Sequence, residues 1–286
     1  MDPDPERQPS ISPAFLFVLF IVFLQACTQS PDQQESKKQP DSRKPNPLHP
    51  GSGTSSVSSG FNDTLPVMYL TFDDGPNKGT DKVLDILEAE QVPATFFLIG
   101  IQIHGSSRQE KTWARLQQAT ARGIELQNHS YTHAHNHFAR FYLNPAAVVA
   151  DFKQAADTLH LTANIVRTPG HNVWRTATVN HTDMPSLKAP ADSVFQAGYT
   201  IMGWDNEWTF NNQLELKKKP EGLLRELDSV SSRNILRTPR HLVLLAHDQS
   251  FADSRDSASL HQFIQLVKNS GRYHFGVVSG YPHLKN

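Results

Sequence analysis

The stretch LTFDDGP at residues 70–76 starts as an apolar run and ends abruptly in two adjacent carboxylates and a turn signal. Neighbouring side chains on an extended backbone point in opposite directions, so we expect Asp73 and Asp74 to have different roles. One is suited to binding a metal ion and the other to moving a proton. The simpler alternative is an ordinary surface turn, because Asp, Gly and Pro all favour turns. The rest of the sequence has to decide between these two interpretations.

Short apolar, β-branched runs alternate with longer amphipathic runs from residue 65 onwards. The short runs predict seven strands, at residues 67–72, 94–99, 124–128, 164–167, 199–204, 242–246 and 275–278. The longer runs predict helices at about residues 80–90, 110–122, 145–160, 190–197, 220–236 and 257–269. Strict alternation predicts a parallel sheet with helices outside it. Seven strands are too few for the usual eight-stranded barrel, but they are enough to close an irregular one.

Polar residues follow the carboxyl ends of these predicted strands. In chain order they are Asp73 and Asp74, His129, Arg167, Asp205 and Glu207, and His247 with Asp248. In a β/α barrel the functional site lies at the carboxyl ends of the strands. We therefore expect these side chains to converge on one face of the domain, which scattered surface residues have no reason to do.

The segment HSYTH at residues 129–133 places two imidazoles four residues apart, and one helical turn would bring them to the same side. Two neutral imidazoles and one carboxylate form a common ligand set that leaves positions open for water and substrate. Asp74 is a suitable third ligand for His129 and His133. The pattern alone also fits a coincidence in a chain with 14 histidines, so the interpretation depends on the nearby carboxylates.

The composition sets limits on the class of protein. A chain of 286 residues that is 38% hydrophobic can build a buried core. Its formal net charge is -1, so it lacks the basic surface that nucleic-acid binding requires, and a neutral polymer is a better match. We expect no nucleic-acid partner, and no feature of the sequence implies a protein partner.

The N-terminal region reads as a targeting segment. Residues 14–24 form an apolar run of eleven residues, which suits a signal-peptide core and is shorter than the roughly 20 residues of a spanning helix. The following LQAC at residues 24–27 resembles the bacterial lipobox, in which the cysteine carries the lipid; the alternative is an ordinary signal peptide beside an incidental Cys27. We predict a signal peptide at residues 1–27, a tether at 28–63 and a catalytic domain at 64–286. This predicts a location in the cell envelope, lipid-anchored on a periplasmic or cell-surface face.

Four motifs carry a more specific resemblance. In order, TFDDG at 71–75, HSYTH at 129–133, RTP at 167–169 and LLAH at 244–247 resemble the motifs of the NodB-homology polysaccharide deacetylases, the carbohydrate esterase family 4 enzymes. The resemblance runs from about residue 65 to the C-terminus. It implies a distorted (β/α)7 barrel, which agrees with the seven predicted strands.

The resemblance implies a metal-dependent hydrolase that removes acetyl groups from an N-acetylated polysaccharide, such as peptidoglycan or a chitin-like polymer. The motifs do not distinguish an amide from an ester, so an O-acetyl esterase acting on acetylxylan is the alternative. A third possibility is a catalytically silent lipoprotein that only binds glycan. The presence of both Asp73 and His247 argues against it, because a binder needs neither a base nor an acid.

The resemblance also implies a role for each motif residue. Asp74, His129 and His133 would bind a divalent metal, with zinc expected first and cobalt, nickel or manganese as alternatives. Asp73 would be the general base, and Arg167 would hold it ionised through a charge-assisted pair.

His247 would be the general acid. Leu245 lies two residues earlier on the same strand face and would line a small pocket for the acetyl methyl group, although it equally fits an ordinary core position.

Two departures from the family pattern leave questions for the structure. The family usually has an aromatic residue after Arg-x-Pro, where this chain has Gly170; the backbone N–H remains, and His171 or Trp174 would have to replace the missing groove wall. The family also has an Asp that tunes the catalytic histidine. Counting along the chain puts Glu207 at that position, whereas Asp205 has the expected residue type, and both stay candidates.

Three tryptophans, Trp174, Trp204 and Trp208, are candidates for stacking on sugar rings, with burial in the core as the alternative for each. Trp208 follows directly after a predicted strand end. We therefore predict Trp208 as the substrate-stacking residue.

Overall fold

The computed structural model describes residues 65–284. The predicted signal peptide, Cys27 and the predicted tether lie outside the described residues, as do the extreme ends of the predicted catalytic domain.

The described part of the chain contains ten strands and seven α-helices. The strands are β1 (Val67–Gly75), β2 (Ala94–Leu98), β3 (Ile124–Asn128), β4 (Ile165–Val166), β5 (Val173–Arg175), β6 (Asn180–Thr182), β7 (Thr200–Ile201), β8 (Asn206–Glu207), β9 (His241–His247) and β10 (His274–Gly276). The helices are α1 (Thr80–Glu90), α2 (Ser107–Ala119), α3 (Phe138–Phe141), α4 (Pro145–Leu159), α5 (Lys188–Gln196), α6 (Pro220–Ser232) and α7 (Ser254–Ser270). None of these helices combines the length and the apolar character needed to cross a membrane.

Two of the predicted helices start earlier than their apolar pattern indicates, because polar residues cap them. The side chain of Ser106 accepts a hydrogen bond from the backbone N–H of Gln109 at the start of α2 (3.3 Å). Asp253 accepts from the N–H of Arg255 at the start of α7 (2.8 Å). Such caps satisfy the unpaired N–H groups of the first turn, so they fix the helix start independently of the apolar face.

The strands form one curled sheet in the order β6-β5-β7-β4-β3-β2-β1-β9-β8, and β10 pairs with the first half of β1. All pairings are parallel except those of β5 with β6 and β7. The predicted distorted barrel with external helices is confirmed, and all seven predicted strands are present. The predicted strict alternation of strands and helices is wrong between residues 173 and 182, where β5 and β6 form an antiparallel hairpin. Strands of two or three residues are too short to leave a periodic pattern in the sequence.

β1 is the central strand, and its side chains alternate between two cores. Met68, Leu70 and Phe72 are fully buried beneath the helices. The intervening Tyr69 belongs to the core inside the curl, which also contains Phe97, Trp174, Met202 and Val243. Because the inner residues of β1 continue to Thr71 and Asp73, the strand delivers polar groups to the mouth of this inner core.

Candidate active site

The two adjacent aspartates share one cavity of about 230 Å³ at the carboxyl end of the sheet. The pairing of β1 with β2 shifts register between Asp73 and Gly75, and the intervening Asp74 has a left-handed backbone with φ of 74°. Such a bulge re-aims a side chain. The alternation argument, which predicts opposite directions for the two carboxylates, is therefore wrong here: both face the cavity, and their different partners separate their roles.

Asp74, His129 and His133 bring three potential metal ligands together, with all three ligand atoms within 4.8 Å of one another. Asp74 Oδ1 lies 3.4 Å from His129 Nε2 and 3.2 Å from His133 Nε2. The two imidazoles do not lie on one α-helical turn. Instead a loop with positive φ at Ser130 (72°) and His133 (52°) folds the second ring back against the first, with ring centroids 5.2 Å apart.

The hydrogen bonds of both imidazoles leave their Nε2 atoms free for a cation. His129 Nδ1 donates to the carbonyl oxygen of Arg167 (2.9 Å), and His133 Nδ1 lies 3.0 Å from Asn136 Oδ1, which accepts its proton. With Nδ1 carrying the proton, each Nε2 presents a lone pair towards Asp74. Asp74 Oδ1 is buried and accepts no hydrogen bond from the described residues. These orphaned atoms, facing one another, fit a divalent cation.

Electrostatics at the cluster favour the ligand form of the carboxylate. Burial raises the pKa of Asp74, but the neighbouring His129 and His133 outweigh burial and hold that pKa well below its usual range. Burial lowers the pKa of His133, whereas the carboxylate of Asp74 raises it above the ordinary value. In the cation-free protein a proton therefore competes with a metal for this cluster.

Asp73 has a different partner. Arg167 is fully buried and donates from Nη1 to Asp73 Oδ1 (2.8 Å) and to Thr71 Oγ1 (2.8 Å). Its remaining nitrogens donate to the backbone carbonyl oxygens of Met202 (3.0 Å) and Gly203 (3.0 Å). This network fixes the guanidinium and stabilises the negative charge of Asp73, whose other oxygen lies 3.7 Å from His129 Nε2.

His247 lies at the end of β9, where it is paired in register with Asp73 of β1. Its Nε2 is 4.0 Å from Asp74 Oδ2, and its Nδ1 is 4.0 Å from Glu207 Oε1. The ring of Phe210 packs edge-on against it, with centroids 5.2 Å apart. Burial raises the pKa of Glu207, and the charge of His247 partly offsets this. Glu207 is therefore the carboxylate placed to influence His247.

Asp205 points away from the cavity, so its prediction as a partner of His247 is corrected. Its two oxygens accept hydrogen bonds from the backbone N–H groups of Arg237 (2.9 Å) and Val243 (2.8 Å). Burial raises the pKa of Asp205 to about 6, although both hydrogen bonds lower it. Asp205 is thus a structural link between β8, β9 and the loop before β9.

Asp248, the last of the polar residues at the strand ends, lies behind the site. It is fully buried and accepts hydrogen bonds from the side chains of Asn77 and Thr80. Burial raises the pKa of Asp248 to about 8, against these hydrogen bonds. A Cβ on Gly75 would stand 2.7 Å from Asp248 Oδ2, so only glycine allows this approach. The contact ties the loop after β1 to the segment that carries His247.

The apolar wall of the cavity agrees only in part with the sequence predictions. Leu245 and Gly170 line the cavity as predicted, and so does Trp204. The prediction for Trp208 is wrong: it is fully buried, donates from Nε1 to the carbonyl oxygen of Lys218 (2.9 Å) and packs against Phe263, with ring centroids 5.2 Å apart. Because Trp208 pairs through its backbone with β9, it turns into the core beneath the helices.

Sequence reasoning missed three residues of the site: Thr71, which shares Arg167 with Asp73, Phe210 beside His247, and Phe138 in the cavity wall. The alternation along β1 is a signal for Thr71, since it has the same parity as Asp73. No local pattern marks Phe138 or Phe210, because Phe138 begins a helix of only four residues, Phe210 lies outside the named strands and helices, and both meet the site only through the fold.

The family model described as polysaccharide deacetylase matches residues 62–189. The match includes both aspartates, both histidines of the cluster and the buried arginine. It ends before the strands that carry Glu207 and His247.

Known proteins whose names specify a deacetylase are similar to this chain. A chitooligosaccharide deacetylase of Sinorhizobium fredii is 45% identical over 69 residues, covering 24% of this chain and 29% of that protein. A peptidoglycan-N-acetylglucosamine deacetylase of Bacillus cereus is 30% identical over 151 residues, covering 51% of this chain and 48% of that protein. The chain covers between 14% and 66% of the length of its most similar curated relatives.

A solved structure of a Streptococcus mutans CE4 esterase has the same curled sheet. It superposes with a TM-score of 0.57 at 26% sequence identity, and the alignment covers 75% of this chain and 86% of that one.

Proposed function

We propose that this chain, whose residues 62–189 match the polysaccharide deacetylase family model, is a metal-dependent hydrolase that removes the acetyl group from an N-acetylated glycan. The observation that carries the proposal is the arrangement in one cavity of three sets of groups. Asp73 Oδ2 lies 3.7 Å from His129 Nε2 and His247 Nε2 lies 4.0 Å from Asp74 Oδ2, so both side chains adjoin the cluster of Asp74, His129 and His133. A site that only binds glycan has no need for two separate proton-transfer groups beside a cation site.

The three ligand side chains suit zinc, because imidazole and carboxylate ligands with open positions are typical of catalytic zinc sites. A divalent cation at this position would polarise the acetyl carbonyl and lower the pKa of a water molecule. Asp73 takes the proton of the attacking water, and Arg167 keeps the carboxylate oriented through its 2.8 Å hydrogen bond. The backbone N–H of Gly170, in the cavity wall, is our candidate donor to the developing oxyanion.

Protonated His247 then gives its proton to the leaving nitrogen. An amine leaves poorly unless it is protonated, so an acid separate from the base is required, and such a group typically contributes about 10² to 10⁴ in rate. Glu207, at 4.0 Å, stabilises the positive charge of His247 before the transfer. Leu245 supplies an apolar surface for the acetyl methyl group.

Glycans with N-acetylglucosamine units are the proposed substrates. The similar proteins from Sinorhizobium fredii and Bacillus cereus carry names that specify chitooligosaccharide and peptidoglycan N-acetylglucosamine deacetylation. The cavity of about 230 Å³ is smaller than the roughly 300 to 1,000 Å³ of pockets that enclose a drug-sized ligand. It therefore suits one acetamido group, with the rest of the polymer lying outside.

The proposal is tested by acetate release. The purified full-length chain, loaded with zinc or cobalt, is incubated with N-acetylglucosamine oligomers, peptidoglycan and acetylxylan, with Asp73→Asn as the inactive control. We expect release from the N-acetylated substrates. Release from acetylxylan alone would identify an O-acetyl esterase, and release from none of them would leave only a glycan-binding role.

We also propose that Cys27 carries a lipid that holds the enzyme in the cell envelope, on the lipobox-like LQAC sequence. Cys27→Ser is expected to move the protein from the membrane fraction to the soluble fraction. An unchanged distribution would exclude Cys27 as the anchor.

A further inference from the structure

Phe138 fills the position left empty by the glycine after the Arg-Thr-Pro segment. A Cβ built on Gly170 would stand 3.1 Å from Cδ1 and from Cε1 of Phe138 and 3.2 Å from its Cδ2. Three ring atoms at nearly equal distances mean that the aromatic face lies against Gly170. The backbone of Gly170 has φ of 72°, a conformation that also disfavours any side chain there.

The position of Phe138 is fixed by the loop that carries a predicted metal ligand. Its ring meets the ring of His133 edge to face, with centroids 5.4 Å apart, and approaches His171 in the same manner at 6.3 Å. Phe138 is the first residue of helix α3 (Phe138–Phe141). Tyr142, directly after this helix, donates from its hydroxyl to the carbonyl oxygen of Pro169 (2.8 Å) and so holds the helix to the segment after Arg167. Phe138 is half-buried and lines the same cavity as Asp73 and His247.

We propose that Phe138 is the aromatic residue against which the sugar carrying the acetyl group packs, and that it determines the preference of this site for glycan over small acetylated compounds. The inference rests on the proposed deacetylase function. His171 and Trp174, the two candidates from the sequence, do not occupy this place: Trp174 is fully buried inside the sheet, and His171 pairs with Asp183 (3.2 Å). The aromatic wall of the groove therefore comes from the segment after His133 and not from the segment after Arg167.

The variant Phe138→Leu separates stacking from support, because leucine keeps most of the bulk beside His133 and Gly170 but has no aromatic face. We expect KM for an N-acetylglucosamine oligomer to rise about five- to tenfold, in line with the contribution of an aromatic contact beyond simple burial. The kcat/KM for the small substrate 4-nitrophenyl acetate, which has no sugar ring, is expected to fall by a smaller factor than kcat/KM for the oligomer. Phe138→Tyr is expected to restore the KM for the oligomer.

A zinc-binding measurement and a control variant test whether the ring of Phe138 only supports His133. Zinc affinity, measured by isothermal titration, is expected to stay within threefold in Phe138→Leu; a parallel loss of zinc affinity would show that the ring merely supports His133 and would overturn the proposal. Phe141→Leu is the matched control, since Phe141 packs against Tyr142 (5.0 Å between centroids) and does not line the cavity.

The outcomes also distinguish the two proposals. An unmodified protein that releases no acetate from any substrate defeats the proposed function. An active protein whose KM for the oligomer is unchanged in Phe138→Leu defeats only the assignment of Phe138.

Discussion

Replacing Glu207 with glutamine removes the negative charge beside the proposed general acid while keeping the size of the side chain. Glu207 Oε1 lies 4.0 Å from His247 Nδ1, and the two side chains are 31% and 18% exposed. At that distance a pair of unit charges interacts by about 1 kcal/mol in water and about 4 kcal/mol at an effective dielectric constant of 20. Partial exposure places this pair between the two limits. Protonated His247 is thus expected to lose about 1 to 4 kcal/mol of stabilisation.

The assay is kcat/KM for acetate release as a function of pH. The alkaline limb of the profile is expected to move to lower pH in Glu207→Gln, because the charge that stabilises the protonated acid is gone.

Asp205→Asn is the matched comparison, two residues away on the same segment. An asparagine has one acceptor oxygen, so its NH2 group must face the backbone N–H of Arg237 or Val243. An unsatisfied buried polar group costs about 1 to 3 kcal/mol of stability. We expect a lower melting temperature and an unshifted pH profile. A shifted profile in Asp205→Asn together with an unchanged one in Glu207→Gln would refute the assignment.

Four other predictions test the remaining parts of the site. Asp73→Asn is expected to lower kcat by about 10² to 10⁴ while zinc affinity by isothermal titration stays within a few-fold, and loss of zinc would contradict the separation of base from ligand. Zinc at about 100 times its Kd is expected to stabilise the unaltered protein by about 2.7 kcal/mol in thermal denaturation and to have no such effect on His133→Ala. Trp208→Ala is expected to cost about 3 to 5 kcal/mol of unfolding free energy, as for a large core residue, whereas Trp204→Ala, in the cavity wall, is expected to raise KM for the glycan with a smaller loss of stability. Finally, the folded-state pKa of Asp205 is raised to about 6 from 3.8. The stability contributed by this shift is therefore fully present below about pH 3.8 and is lost as the pH rises through 6. Chemical denaturation should show a decline of about 3 kcal/mol in the free energy of unfolding over that range, and Asp205→Asn should lack this decline.

The sequence was sufficient for features that rest on periodicity or on motif spacing. The long central strand β1 and the paired helix α1 follow directly from their apolar patterns. The three predicted metal ligands lie within 4.8 Å of one another, because the carboxyl ends of parallel strands meet at one edge of the sheet.

Features that depend on backbone irregularity were not predictable in the same way. The bulge at Asp74 turns a side chain that alternation would send outward, and the left-handed residues around His133 replace the expected helical turn. For the carboxylate beside His247, the position counted along the chain favoured Glu207, whereas the expected residue type favoured Asp205. Only the pairing of β8 with β9 decides which carboxylate faces His247. Phe138 reaches Gly170 across 32 residues of sequence, a contact for which no local pattern exists.

The pairing of β1 with β9 has a consequence for how the protein becomes active during synthesis. Thr71 donates to the carbonyl oxygen of Leu244, 173 residues further along, and the register of the two strands continues to Asp73 and His247. A chain emerges from the ribosome N-terminus first. Nearly all of the domain must therefore be translated before β9 can cover one edge of β1. Nascent or prematurely terminated chains that lack β9 have the proposed base and ligands but not the proposed acid. Under the proposed function we therefore expect activity only from chains complete through His247, and β1 is the segment that a chaperone would have to shield until then.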